Sequence, residues 1–166
     1  MADLETINYF LDKLTVDSLT LMEEYIDLKL SLEDSMNDGE TNLAKSRYIL
    51  GQNNVSKLQL PSEDSNDFSA GVVVNSEINP DLGFRHFDVE FVKESDEKSE
   101  VKNPLRWFGV LVPQSMHLAQ KKYKEALNWV GMIANIQSKL EYNCLKMDQL
   151  KYMKYELTKT EKQLQE

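Results

Sequence analysis

The sequence predicts a mainly α protein, two long helices packed as an antiparallel coiled-coil hairpin with an irregular, β-tinged and partly disordered middle segment. Three observations carry this. Apolar residues recur at alternating three- and four-residue steps through both ends of the chain, a heptad seam. Short period-2 runs are confined to the middle. Charge divides the same way, with 8 basic and 22 acidic side chains in residues 1–100 against 11 and 6 in residues 101–166. An acidic first arm and a basic last arm are complementary when the helices lie side by side.

The first arm, residues 1–51, opens with Asp3 as a plausible cap. Its seam is Leu4, Ile7, Leu11, Leu14, Ser18, Leu21, Tyr25, Leu28, Leu32 and Ser35. Asn37-Asp38-Gly39 leaves a break open, yet LAKSRYIL (43–50) resumes a helical stripe through Leu43, Arg47 and Leu50. One helix through Leu50, weakest at Gly39 and closed by Gly51 as its C′ residue, is the favoured reading. A helix of that length spans roughly 70 Å, so its seam must be buried lengthwise against a second helix.

The middle, residues 52–103, holds three β-like pieces: Val55 with Leu58 and Leu60, then Val72-Val73-Val74, then Phe87, Val89 and Phe91 alternating with polar residues. SEDSND (62–67) and KESDEKSE (93–100) lack apolar anchors and read as solvated linkers. A small hairpin fits here; a sizeable β core does not.

The last arm, residues 104–166, starts with the densest apolar patch of the chain, LRWFGVLVP (105–113). Pro113 suits the first turn of the helix that follows. That helix has a seam through Ala119, Tyr123, Ala126, Val130, Ile133, Gln137, Leu140, Cys144 and Met147. It then steps in phase to Leu150, Met153, Leu157, Thr160 and Leu164. On this reading Cys144 is a buried structural thiol. Burying about fifteen seam residues, at roughly 1.5–3 kcal/mol each, supplies the stability. Exposed ion pairs, a few tenths of a kcal/mol each, choose partner and register.

Composition excludes several functions. A net charge of −9 argues against nucleic-acid binding, which needs a cationic footprint. One cysteine leaves no disulfide framework and suits a reducing compartment. The first residues place acids where a signal peptide needs a basic flank, and no run approaches about 18 apolar residues, so a cytosolic chain with no membrane span of its own is expected. His86 and His117 stand in unrelated segments, Asp64 and Asn66 do not complete a calcium loop, and no phosphate-cradling glycine motif occurs. The chain reads as no enzyme, with no cofactor and no metal.

Trp107 beside Phe108 in a non-periodic segment cannot put both rings into one narrow seam. Leu105, Trp107, Phe108, Leu111 and Val112 either cap the open end of the hairpin or anchor a protein partner, since Trp and Phe in an apolar patch are typical hot-spot residues. Arg47 and Tyr48 are candidates for cation–π contact with the same segment.

LAKSRYILG (43–51) and NPLRWFGVLVPQSMHLAQ (103–120), in this order and between these helices, resemble the coiled-coil domain-containing protein 115 family, peripheral assembly factors of the vacuolar-type proton pump. The two strings cover about 27 residues; the acidic middle carries no motif of the family. The resemblance implies a non-enzymatic chaperone for membrane-sector subunits of the V-ATPase, needed for lysosomal or vacuolar acidification. It implies a cytosolic protein held at the endoplasmic reticulum by a membrane-spanning assembly factor similar to transmembrane protein 199. Stations on COPI-coated ER–Golgi vesicles, endosomes and lysosomes are also implied. A prefoldin-like chaperone subunit and a structural coiled-coil tether are the alternatives.

Overall fold

The computed structural model describes residues 3–65, 68–78, 83–92 and 103–164. Its elements are α1 (Leu4–Leu50), β1 (Val72–Ile78), β2 (Arg85–Phe91) and α2 (Gln114–Leu164), with 3-10 turns at Lys57–Gln59 and Pro104–Phe108. The chain is mainly helical, and contacts divide it into two compact units. One comprises Met1–Leu28, Glu77–His86 and Ile133–Glu166; the other comprises Lys29–Ser76 and Phe87–Met132. Each takes a stretch of both helices.

The α1 seam forms as its periodicity requires. All ten predicted positions are buried or half-buried, and between residues 4 and 35 only Ser31 joins them. The Asp3 carbonyl accepts the Ile7 N–H at 3.1 Å and closes the first turn. Gly51, at φ 86°, ends the helix by donating to the Arg47 carbonyl at 3.0 Å. The helix runs unbroken through Gly39, as the favoured reading expects, and Gly39 is a buried notch filled by Tyr123, whose ring lies 3.0 Å from where a Cβ would sit. Beyond it the seam continues through Asn42 and Ser46, while Arg47 is exposed.

The α2 seam departs from the predicted one. Met116, Ala119, Tyr123 and Ala126 face α1, but the phase step falls after Ala126 rather than after Met147. Trp129, Ile136 and Asn143 then point inward, while Val130, Gln137 and Cys144 are exposed. Hydrogen bonds decide the phase. Trp129 Nε1 donates to the buried Ser35 Oγ at 3.2 Å, and Asn143 Nδ2 donates to Ser18 Oγ at 3.3 Å.

Within each unit the helices run antiparallel. In the first, Ser18 meets Asn143 and Tyr25 accepts from Gln137. In the second, Ser35 meets Trp129, Asp38 pairs with Lys122 at 3.2 Å, and the Ser46 and Ser115 hydroxyls bond at 2.7 Å. Ser46 is fully buried, and its hydroxyl also bonds the Asn42 carbonyl at 2.9 Å, so it is satisfied both within α1 and across to α2.

The middle forms the small hairpin, a two-stranded sheet in the order β1-β2. Phe87, Val89 and Phe91 alternate half-buried with exposed neighbours, as their pattern predicts. Val89 lies against Gly131 of α2 in the second unit, and Phe84 tilts onto Tyr142 in the first, with centroids 6.0 Å apart. The Val55–Leu60 piece is not a strand. Ser56 and Gln59 form a reciprocal capping box that winds Lys57–Gln59 into a 3-10 turn. Of the expected linkers, residues 62–65 are an exposed turn, whereas 66–67 and 93–100 lie outside the described residues.

Candidate functional site

The apolar patch 105–113 begins with a local signal, Asn103 before Pro104. Asn103 Oδ1 accepts the Leu105 N–H at 3.1 Å and caps the 3-10 turn; it also accepts from Gln120 Nε2 at 2.9 Å, tying the turn to α2. Gly109, at φ 125°, ends the turn in a conformation that disfavours a side chain. The Pro113 carbonyl accepts the Met116 N–H at 2.9 Å, so Pro113 immediately precedes α2 rather than occupying its first position.

These caps divide the five predicted contact residues. Leu105 is buried in a cluster with Val55 and Met116, and Phe108 and Val112 pack on it together with Leu43 and Leu50. Trp107 is half-buried, edge-on to Phe68 with centroids 5.5 Å apart. Leu111 is 90% exposed, and its neighbour Val110 is 100% exposed. The segment therefore caps the end of the second unit with three side chains and presents two aliphatic ones to solvent. Arg47 and Tyr48 are both exposed, and Trp107 meets Phe68 rather than either of them.

Beside the segment lies a mainly apolar groove of about 740 Å³, walled by Val72 and Phe91 of the hairpin, Leu105 and Phe108 of the cap, and Met116 and Leu127 of α2. With Leu43 of α1 its lining comes from five separate stretches, so only the fold reveals it. It has the character to accept an apolar side chain or a helix turn. Lys124 is the charged group at its rim.

Nearby, Lys122 Nζ lies 3.2 Å from Glu125 and 3.2 Å from Asp38. The hydrogen bond to Glu125, then that to Asp38, raises its pKa above the ordinary lysine value. Burial raises Tyr123 above the ordinary phenol value, with the Glu40 charge adding to it. Both shifts favour the proton-bearing forms; neither prepares a nucleophile or a base near neutrality. Among the described residues no three His, Cys, Asp or Glu side chains gather as a metal site, and no helix is long and apolar enough to cross a membrane.

No family profile matches the chain. Similarity to individual proteins is decisive instead. The human Vacuolar ATPase assembly protein VMA22 is 30% identical over 151 residues, covering 80% of this chain and 84% of the human protein. The chain belongs to the VMA22 family. The VMA22 proteins of Bos taurus and Danio rerio are each 25% identical, over 148 and 171 residues, covering 82% and 83% of their own lengths. Membership of the VMA22 family agrees with the resemblance carried by residues 43–51 and 103–120, and the match extends well beyond those two strings.

Proposed function

We propose that this chain is a non-enzymatic assembly factor for the vacuolar-type proton-pumping ATPase. The observation that carries the proposal is its membership of the VMA22 family, whose curated members are named as vacuolar ATPase assembly proteins. It acts at the cytosolic face of the endoplasmic reticulum with a membrane-spanning assembly factor similar to transmembrane protein 199. The pair shields unassembled membrane-sector subunits until their neighbours arrive, which makes it necessary for lysosomal or vacuolar acidification. Passage through COPI-coated vesicles to endosomes and lysosomes belongs to the same proposal.

The contact surface we propose is the 105–112 segment, with its roles divided. Leu105, Phe108 and Val112 hold the loop in place, and Leu111 with Val110 reaches the partner while the half-buried Trp107 flanks them. Such a rigidly held aliphatic tip loses little entropy on binding. The test is co-precipitation of the membrane-spanning factor and of pump subunits with Leu111→Asp and Val110→Asp chains. Loss of the partner with an unchanged unfolding midpoint supports the reading; undiminished recovery refutes the tip as the contact. Phe108→Ala is the contrasting variant, expected to lower stability by about 3 kcal/mol or somewhat less because Phe108 is only partly buried.

The prefoldin-like alternative needs a sheet shared between subunits and predicts a soluble hexamer by sedimentation. The tether alternative needs parallel self-association, and the intrachain bond between Ser18 and Asn143 does not favour it.

A further inference from the structure

Helix α1 carries a second apolar stripe. The seam facing α2 in the first unit runs through Ile7, Leu11, Leu14, Ser18, Leu21 and Tyr25, all buried or half-buried. Roughly 150° round the helix, at about 100° per residue, lie Tyr9, Val16, Leu19 and Ile26. They are 64, 62, 61 and 57% exposed. Their spacing falls on the same three-and-four rhythm, with Asp12 and Glu23 filling the remaining positions of the stripe. The outer face of a two-helix pairing is ordinarily polar, and a row of large apolar residues there has the pattern of a helix-packing seam.

Charge selects the occupant. Residues 1–28 contain seven acids and one base, Lys13, and the acids Glu5, Asp12, Glu23 and Glu24 are exposed on or beside the stripe. Two copies of this face would set acid against acid, which disfavours self-pairing. A helix with apolar residues at three-and-four spacing and Lys or Arg on its flanks satisfies both the stripe and the charge.

We infer that the outer face of α1 over residues 9–26 seats a basic amphipathic helix of another protein. The inference rests on the reading of the chain as a binding protein of pump assembly and adds the chemistry of the partner. It concerns the first unit, whereas the 105–112 tip belongs to the second.

The test uses the full chain and a fluorescent synthetic peptide of about three heptads, with leucine at the two seam positions and lysine at the flanks. The expected result is binding that weakens at least tenfold in the Leu19→Glu/Ile26→Glu chain and weakens with added salt. Because both positions are exposed, the unfolding midpoint of that variant stays at the wild-type value. Equal binding to wild type and variant, or equal binding of the same peptide with glutamate in place of lysine, overturns the inference. So does a wild-type dimer in sedimentation that the double variant dissociates, which assigns the face to a second copy. The assembly reading is tested separately: a tagged wild-type chain that co-purifies no pump subunit from membranes refutes that reading and leaves the peptide result standing.

Discussion

Gly131 of α2 faces Val89 of β2, and filling it tests whether β2 is seated as described. A methyl built at Gly131 falls 2.7 Å from Val89 Cγ2, about 1 Å inside an ordinary carbon–carbon contact. Two effects of Gly131→Ala oppose each other. Alanine in a helix interior gains about 1 kcal/mol over glycine. Overpacking a methyl costs about 1–3 kcal/mol, because the strand must lift or Val89 must leave its rotamer. The second wins, and the expected net change is a loss of up to about 2 kcal/mol.

Val89→Ala alone removes two methyl groups from a half-buried position, a loss of about 1 kcal/mol. In the double variant the collision is gone and the helix gain remains, so stability returns close to wild type. Urea denaturation of all four chains gives the coupling, expected at about 1–3 kcal/mol. Additivity within about 0.3 kcal/mol, or Gly131→Ala stabilising by the full helix gain of about 1 kcal/mol, would show that Val89 does not rest on Gly131.

Three further outcomes follow from the helix pairing. Cys144 is exposed, so Ellman's reagent should modify the folded chain at the rate of a small free thiol; modification only in denaturant would restore the seam predicted from periodicity. Ser35→Ala leaves the Trp129 indole N–H without its acceptor, for a loss of about 0.5–1.5 kcal/mol in urea and a red-shifted tryptophan emission; unchanged values would remove the bond. The raised pKa values of Lys122 and Tyr123 mean that the folded state holds their protons more tightly than the unfolded chain. Their contribution is therefore complete below the ordinary values and is lost as pH rises through the folded ones, above about pH 10. The urea midpoint should fall in that window and fall less in Tyr123→Phe. A flat midpoint, or the same fall in the variant, contradicts the assignment.

The sequence was most informative where one residue type was forced. On α1 the seam positions Leu4, Ile7, Leu14, Leu28 and Leu32 have polar neighbours on both sides, and the phase they set is the one observed. On α2, Trp129 and Val130 are adjacent and both apolar, and periodicity alone could not choose between them. The choice depends on Ser35, small enough to admit the indole and able to accept its proton, and that fact belongs to the other helix. The role of Gly39 likewise depends on the other helix. Glycine reads locally as a helix breaker, but here the ring of Tyr123 needs the missing side chain. The capping box at Ser56 and Gln59 is legible as Ser-x-x-Gln, but Val55, Leu58 and Leu60 across the same stretch read equally as a strand. In the candidate site the sequence marked the segment but could not divide cap from tip. That division comes from Asn103 and Gly109, which fix where the 3-10 turn begins and ends.

Charge has a different place in this architecture from the one its distribution first implies. The helices are complementary overall, yet the register is set chiefly by short polar contacts. Ser18 with Asn143, Ser35 with Trp129 and Ser46 with Ser115 each require two small or polar groups at one level. A one-turn slip would break these cross-helix bonds at about 0.5–1.5 kcal/mol each, although Ser18 and Ser46 keep their bonds to the Leu14 and Asn42 carbonyls, whereas an exposed pair such as Lys122–Asp38 is screened by solvent. Hydrogen bonds can therefore hold the register while most of the acid on the first turns of α1 remains on its outer face. Acid retained there beside the exposed Tyr9, Val16, Leu19 and Ile26 lies off the α1–α2 seam, and it gives a basic helix a reason to bind.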